Sequence, residues 1–288
     1  MTISSVAPPS AEGTFRFPAS AEAPGRGSVI VEACGGRSRV TRAFATSPLR
    51  LLTPKNHGPA SWIFTSTFGG GLVGGDDVVL EVDVREGANA YLSTQAATKV
   101  YRSTASTSVA LRAAIARDAT LIAVPDPVMC FAGSSYRQDQ RFELDEAGSL
   151  VFVDWLSSGR HATGERWQFR RYESRVMIRR SGRPIVYDAV LLSPEHGDLA
   201  ERVGRFESLI VAILIGPAVA TAAADVLARV EQQPLDRRAR LVVSASRVDG
   251  GCLLKIVGES VEQTGSTLRE LLGFVPSLLG DDPWARKW

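Results

Sequence analysis

The sequence predicts a mainly β chain of the α+β type: layered, solenoid-like β structure carrying two C-terminal helices. Three observations predict it. From Asp77 onward, apolar and polar residues alternate in short runs, the period of a half-buried strand. Charged and small residues recur together at Arg85-Glu86-Gly87-Ala88, Arg117-Asp118-Ala119 and Asp145-Glu146-Ala147-Gly148, each ahead of a strand-like run. Their spacing of about thirty residues is that of stacked supersecondary units and argues against a closed barrel. Finally, 26 glycines against 7% aromatic residues favour strands and turns over a helical bundle.

Residues 1–26 are rich in Ala, Pro, Ser and Gly without apolar periodicity, which reads as a disordered leader. Residues 27–275 read as one domain and 276–288 as a loose tail, with Trp284 and Trp288 available to dock. Strand signals open at 27–33, and Pro48 to Pro54 brackets an extended segment. Leu80, Val82 and Val84 alternate with Glu81, Asp83 and Arg85, and Val109, Leu111, Ala113 and Ile115 repeat the pattern. Residues 119–124 are apolar except for Thr120, as in a strand covered on both faces. Glu146-Ala147-Gly148 reads as a hairpin turn between 140–144 and 150–155. Ser181-Gly182-Arg183 reads as another, between 175–179 and 185–191. A buried strand at 208–215 ends at Gly216-Pro217, where proline suits a first helical turn. Residues 218–232 form a helix with Val219, Ala223, Val226, Leu227 and Val230 on one face. A hairpin around Asp249-Gly250-Gly251 and a second helix at 264–273 complete the chain.

Composition narrows the function. At 288 residues and 44% hydrophobic, the chain buries a sizeable core. A net charge of +2 gives no case for nucleic acid or an anionic membrane. Cys34, Cys130 and Cys252 are widely spaced with no CxxC pair, which fits a reducing, cytoplasmic setting. No run has the length of a membrane-spanning helix, and no secretory signal is visible.

Gly69-Gly70-Gly71-Leu72-Val73-Gly74-Gly75-Asp76-Asp77 is the most telling stretch. A phosphate loop needs Lys and Ser or Thr after its last glycine; here two carboxylates would repel phosphate. The loop is either a tight crossover where backbones pack or a lining of carbonyl and carboxylate oxygens facing a passage. The cysteines and His57, His161 and His196 show no i, i+4 or CxxC spacing, so no high-affinity transition-metal site and no tightly bound cofactor is expected. Ser157-Ser158-Gly159-Arg160-His161 lacks the GxSxG context of a hydrolase. Within Asp154 to Trp167, an Arg–carboxylate pair either fixes a loop, or Asp154, Arg160 and Glu165 face a partner or a polar channel.

Three blocks then carry a resemblance: Gly69 to Ser103, Val124-Pro125-Asp126-Pro127-Val128-Met129-Cys130-Phe131, and Asp154 to Trp167. The Gly216-Pro217 helix start agrees. Together they make residues 29–273 similar to the D-type urease accessory family (UreD, UreH in some species). The resemblance implies a β-rich, helix-flanked layered fold without catalysis. It implies binding to the F-type accessory protein, through it to the GTP-hydrolysing, nickel-carrying G-type protein, and to apo-urease. It also implies a water-filled passage for nickel. A transit route must hold its ion loosely, which oxygen ligands allow and thiolates do not. Asp76, Asp126 and Glu165 are therefore the weak transit candidates. Ser93, Thr94, Gln95, Asp154 and Arg160 are the channel or interface candidates, and Thr98, Lys99 and Tyr101 are assigned to structure. Two other readings stay open: a β-solenoid enzyme using carboxylates such as Glu81 and Asp83, or a generic protein-interaction module.

Overall fold

The computed structural model describes residues 23–285 apart from 161, 162, 235 and 237; the expected leader lies almost wholly outside them. In chain order the strands are β1 (Arg26–Cys34), β2 (Arg37–Ala45), β3 (Leu49–Leu52), β4 (Ser61–Thr67), β5 (Asp77–Val84), β6 (Asn89–Thr94), β7 (Thr98–Val100), β8 (Thr107–Ile115) and β9 (Thr120–Ala123). Then come β10 (Val128–Cys130), β11 (Ser135–Leu144), β12 (Ser149–Ser157), β13 (Arg171–Arg180), β14 (Arg183–Leu192), α1 (Leu199–Val203) and β15 (Ser208–Ile215). The chain closes with α2 (Ala220–Glu231), β16 (Leu241–Val248), β17 (Gly251–Gly258), α3 (Val261–Leu271) and α4 (Val275–Leu279).

These strands build two stacked sheets. The first runs β14-β13-β11-β8-β5-β1-β2; the second runs β16-β17-β15-β12-β9-β6-β4-β3, with β7 and β10 attached. The inner ladders of both, β1-β5-β8-β11-β13 and β4-β6-β9-β12, are parallel. Parallel neighbours need a crossover between them, and here each crossover passes through the other sheet. The thirty-residue recurrence is the set of corners where the chain switches sheets: β5 to β6, β8 to β9, β11 to β12. Val84 lies opposite Ile115, and Ile115 opposite Leu144. Past the corners, Asn89 lies opposite Thr120, and Thr120 opposite Ser149. In-register corners also share hydrogen bonds: the Gly87 amide donates to the Arg117 carbonyl at 3.0 Å, and the Asp145 amide to the Ile115 carbonyl at 2.9 Å.

The hairpin expected at 146–148 is therefore a corner, since β11 and β12 belong to different sheets. The Ala147 amide donates to the Asp145 carboxylate at 3.0 Å, a local turn that serves a hairpin or a corner equally well. The expected hairpins β13–β14 and β16–β17 are present.

Two apolar layers result. Val82, Val84, Phe142 and Phe152 fill the gap between the sheets. Val151, Val153, Ile210 and Leu254 pack the second sheet against Val226, Leu227 and Leu268 of the helices. β9 is buried at every position, which is why its sequence does not alternate. The α2 face, Ala223, Val226, Leu227 and Val230, is buried as expected. α3 starts at Val261 rather than Thr264 because the Ser260 hydroxyl accepts the Gln263 amide at 3.2 Å and caps it. The stretch read as tail opens inside α4. There Val275 and Leu279 share one helical face and are fully buried, and Trp284 packs edge-on to Tyr91 with ring centroids 6.4 Å apart.

The glycine loop is a crossover. The Leu72 amide donates to the Lys99 carbonyl at 2.8 Å, and the Tyr101 amide to the Leu72 carbonyl at 2.8 Å. A Cβ on Gly71 would stand 2.6 Å from the Tyr101 ring and 2.8 Å from the Lys99 carbonyl oxygen. Gly71→Ala is expected to destabilise the fold by about 1–3 kcal/mol, the cost of forcing backbone apart in a packed region. An unchanged midpoint in urea unfolding would contradict that close approach.

Candidate functional site

Parallel pairing brings the ends of successive strands to one edge of a sheet. Leu92 of β6 lies opposite Ala123 of β9, and Ala123 opposite Phe152 of β12. The residues just beyond them gather at that edge: Ser93-Thr94-Gln95 after Leu92, Asp126 after Ala123, and Asp154 after Phe152. Along β12, Leu150, Phe152 and Leu156 face the inter-sheet core while Val151 and Val153 face the helices. Alternation puts Asp154 in the inter-sheet row.

A cavity of about 380 Å³ lies between the sheets, and Ser93, Thr94, Gln95, Asp126 and Asp154 all line it. It reaches the surface where Gln95, Ala96 and Lys99 are exposed. Leu80, Leu111 and Phe152 form part of its apolar wall. The space is roomy enough for several waters beside polar partners.

Asp154 is its most buried carboxylate. It accepts the Gln138 amide at 2.6 Å, the Tyr172 hydroxyl at 3.2 Å and the Ser174 hydroxyl. Burial pushes its pKa up; the bonds from Ser174, Gln138 and Tyr172 oppose the rise, and the nearby Asp188 charge adds to it. Nearer the surface, Asp126 and Thr94 make a reciprocal pair. The Thr94 hydroxyl donates to Asp126 Oδ2 at 3.1 Å, and the Asp126 backbone amide donates to Thr94 Oγ1 at 2.8 Å. The Ser93 hydroxyl donates to the Val124 carbonyl at 2.6 Å, tying β6 to the segment after β9.

Three candidates lie elsewhere. Asp76 is not a cavity wall; its carboxylate accepts the Val73 amide at 2.8 Å and closes the glycine loop. Glu165 and Arg160 are also absent from the wall and bind each other, with Arg160 Nε donating to Glu165 Oε2 at 2.8 Å and a second contact from Nη2 to Oε1. The bond from Arg160 holds the Glu165 carboxyl below its usual range. The Arg160 guanidinium also lies over the Phe131 ring, 4.4 Å from its centroid. These are contacts between Arg160, Glu165 and Phe131, the kind of Arg–carboxylate pair that the structural alternative for this block invokes. Thr98 and Lys99, assigned to structure, line the cavity, whereas Tyr101 packs edge-on to Phe131 at 5.3 Å.

Among the described residues, no sulfur or imidazole side chain lines these walls. Cys130 and Cys252 are buried, and burial raises their thiols to about 12 and about 11. Neither lines the cavity. Among the described residues, no group of three His, Cys, Asp or Glu side chains could hold a metal ion; His161 lies outside them. Glu81 and Asp83, the carboxylates of the enzyme alternative, stand 3.6 Å from Arg112 and 2.9 Å from Arg85 in ion pairs. They occupy the face of β5 opposite its buried Leu80 and Val82.

Gln138, Tyr172 and Ser174 escape a reading of the sequence. The one signal is parity: Gln138 alternates with Tyr136 and Phe142, both core residues, so a polar side chain occupies an inward row.

These features define a class: a two-sheet β scaffold around a cavity lined by hydroxyl, amide and carboxylate groups, with the Lys99 ammonium at its exposed end. A family model described as UreD urease accessory protein matches residues 23–288. The chain is 50% identical over 265 residues to the urease accessory protein UreD of Sorangium cellulosum, covering 92% of this chain and 84% of that one. It is 44% identical to UreD of Anaeromyxobacter sp. (91% and 89% covered) and 34% identical to urease accessory protein D of Arabidopsis thaliana (90% and 99% covered). The chain belongs to the UreD family of urease accessory proteins. Among the described residues, no helix is long and apolar enough to cross a membrane.

Proposed function

We propose that this chain is a non-catalytic urease maturation factor working in the cytoplasm. It docks apo-urease and the F-type accessory protein, joins the G-type GTPase through that complex, and passes nickel toward the urease active site by way of the inter-sheet cavity. One observation carries the reading: Ser93, Thr94, Gln95, Asp126 and Asp154, far apart in sequence, line a single cavity that opens to the surface. Nickel here is cargo. Conduction needs sites attractive enough to enter and weak enough to leave. Isolated carboxylates among hydroxyls meet that need, whereas buried thiolates or clustered imidazoles would retain the ion.

The test is complementation. In cells that carry urease and the other accessory genes but lack this one, the chain restores nickel-loaded urease and co-purifies with the F-type protein. Expression at normal level with neither restoration nor co-purification would overturn the reading.

A further inference from the structure

We propose that Gln138 sets how loosely the innermost station of the cavity holds a divalent cation. Its amide nitrogen is 2.6 Å from Asp154 Oδ1, 2.9 Å from the Tyr172 hydroxyl and 3.0 Å from Ser174 Oγ. Its amide oxygen accepts the Tyr136 hydroxyl at 3.2 Å, so the nitrogen side is held toward the carboxylate. Gln138 is 3% exposed and lines the cavity together with Asp154.

An amide N–H donates and cannot ligate a cation. It occupies the place beside Asp154 Oδ1 where a second oxygen ligand would otherwise stand. The Tyr172 and Ser174 hydroxyls donate to the same carboxylate, so most of its acceptor capacity is met by protein. A cation arriving from the cavity thus finds one charged group already hydrogen-bonded and no second carboxylate on the wall beside it, since the nearby Asp188 is paired with Lys255 at 2.8 Å and does not line the cavity. Affinity for hard cations rises with the number of charged oxygen ligands and with site rigidity; here the first is kept at one. Gln138 is a positioning residue in this scheme, acting through Asp154.

Glutamate has the same length and carries an oxygen where the amide nitrogen was. Gln138→Glu therefore places two carboxylates side by side with two hydroxyls, an arrangement that a divalent cation stabilises. It turns a station that releases into one that retains. Gln138→Met keeps the chain length and removes the amide donor, leaving Asp154 Oδ1 with the Tyr172 hydroxyl alone.

The inference rests on the transit reading above, so the test separates the two. The complex of this chain with its F-type partner is dialysed against nickel chloride, and bound nickel is measured. Gln138→Glu is expected to bind nickel at least about tenfold more tightly than wild type, to gain melting temperature on nickel addition and to hand nickel to apo-urease more slowly. Gln138→Met is expected to shift affinity the same way by a smaller factor, and it decides the matter alone if the glutamate variant does not fold. Wild-type nickel affinity in the folded variants overturns the role of Gln138, even where Asp154→Asn blocks delivery and the transit reading stands. Tighter retention with normal delivery in Asp154→Asn would instead uphold the site chemistry and remove the passage.

Discussion

Asp154→Asn is expected to leave the protein folded and to lower nickel delivery to urease by at least about tenfold, the equivalent of about 1.4 kcal/mol. Asparagine matches aspartate in shape; its amide oxygen in the Oδ1 place accepts from Gln138 and Tyr172, and its amide nitrogen in the Oδ2 place donates to the Ser174 hydroxyl, which turns to accept. What it removes is the charge. That charge is costly to the fold, because burial raises the Asp154 pKa. The folded state then holds a proton that the unfolded chain releases near pH 3.9. Stability contributed by this group is present below that value and falls as pH rises through the window up to the raised folded pKa. Asparagine has no such loss. At neutral pH the variant should unfold at an equal or higher urea concentration than wild type, while its slope of stability against pH in the acid range flattens. Stability kept or gained together with activity lost is the signature of a group retained for function. Normal urease activation by the variant would make Asp154 only a clamp between the sheets.

Thr94→Trp is the second large effect. Thr94 is half-buried and faces the cavity just inside exposed Gln95. An indole there has empty volume to occupy, so overpacking is limited. The fold loses chiefly the Thr94–Asp126 hydrogen bonds, each worth about 1 kcal/mol net. The expected result is a complex that assembles with the F-type protein and fails to load urease. Asp76→Asn is the matched control: Asp76 is not a wall residue and its carboxylate accepts the Val73 amide, a bond the asparagine amide oxygen can also accept, so delivery should stay at the wild-type level. Delivery that survives Thr94→Trp, or that falls equally in Asp76→Asn, would separate nickel transfer from this cavity.

Much of the architecture is legible in the sequence because it is written in periods. Alternation along β5 and β8 marks one buried face, the nearly unbroken apolar run of β9 marks two, and the recurring corners mark the stacking of the sheets. The helix faces of α2 and α3 are legible for the same reason. The corner at 145–148 reads as a hairpin because Asp and Gly build a tight turn whether the next strand pairs beside the last or crosses to another sheet. The site is legible where loops end strands. Ser93-Thr94-Gln95 and Asp126 come after strands that pair in parallel, and a resemblance to a known family points at them. Asp76 and Glu165 are not separable from Asp126 by residue type. Whether a carboxylate faces a cavity or is satisfied by a loop amide or an arginine is decided by tertiary geometry. The shell around Asp154 is the least visible part. Tyr136 lies opposite Tyr172, and Gln138 opposite Ser174, only through the parallel register of β11 with β13. That register joins segments separated by the whole of β12.

The most direct measurement tracks radioactive nickel from the loaded G-type protein to apo-urease, through the complex containing this chain, with an excess of a bulky external chelator in solution. An ion carried inside the scaffold is shielded, so transfer should continue with wild type and stop with Thr94→Trp. Transfer abolished by the chelator in wild type, or unaffected by the blocking substitution, would show that nickel travels outside these walls.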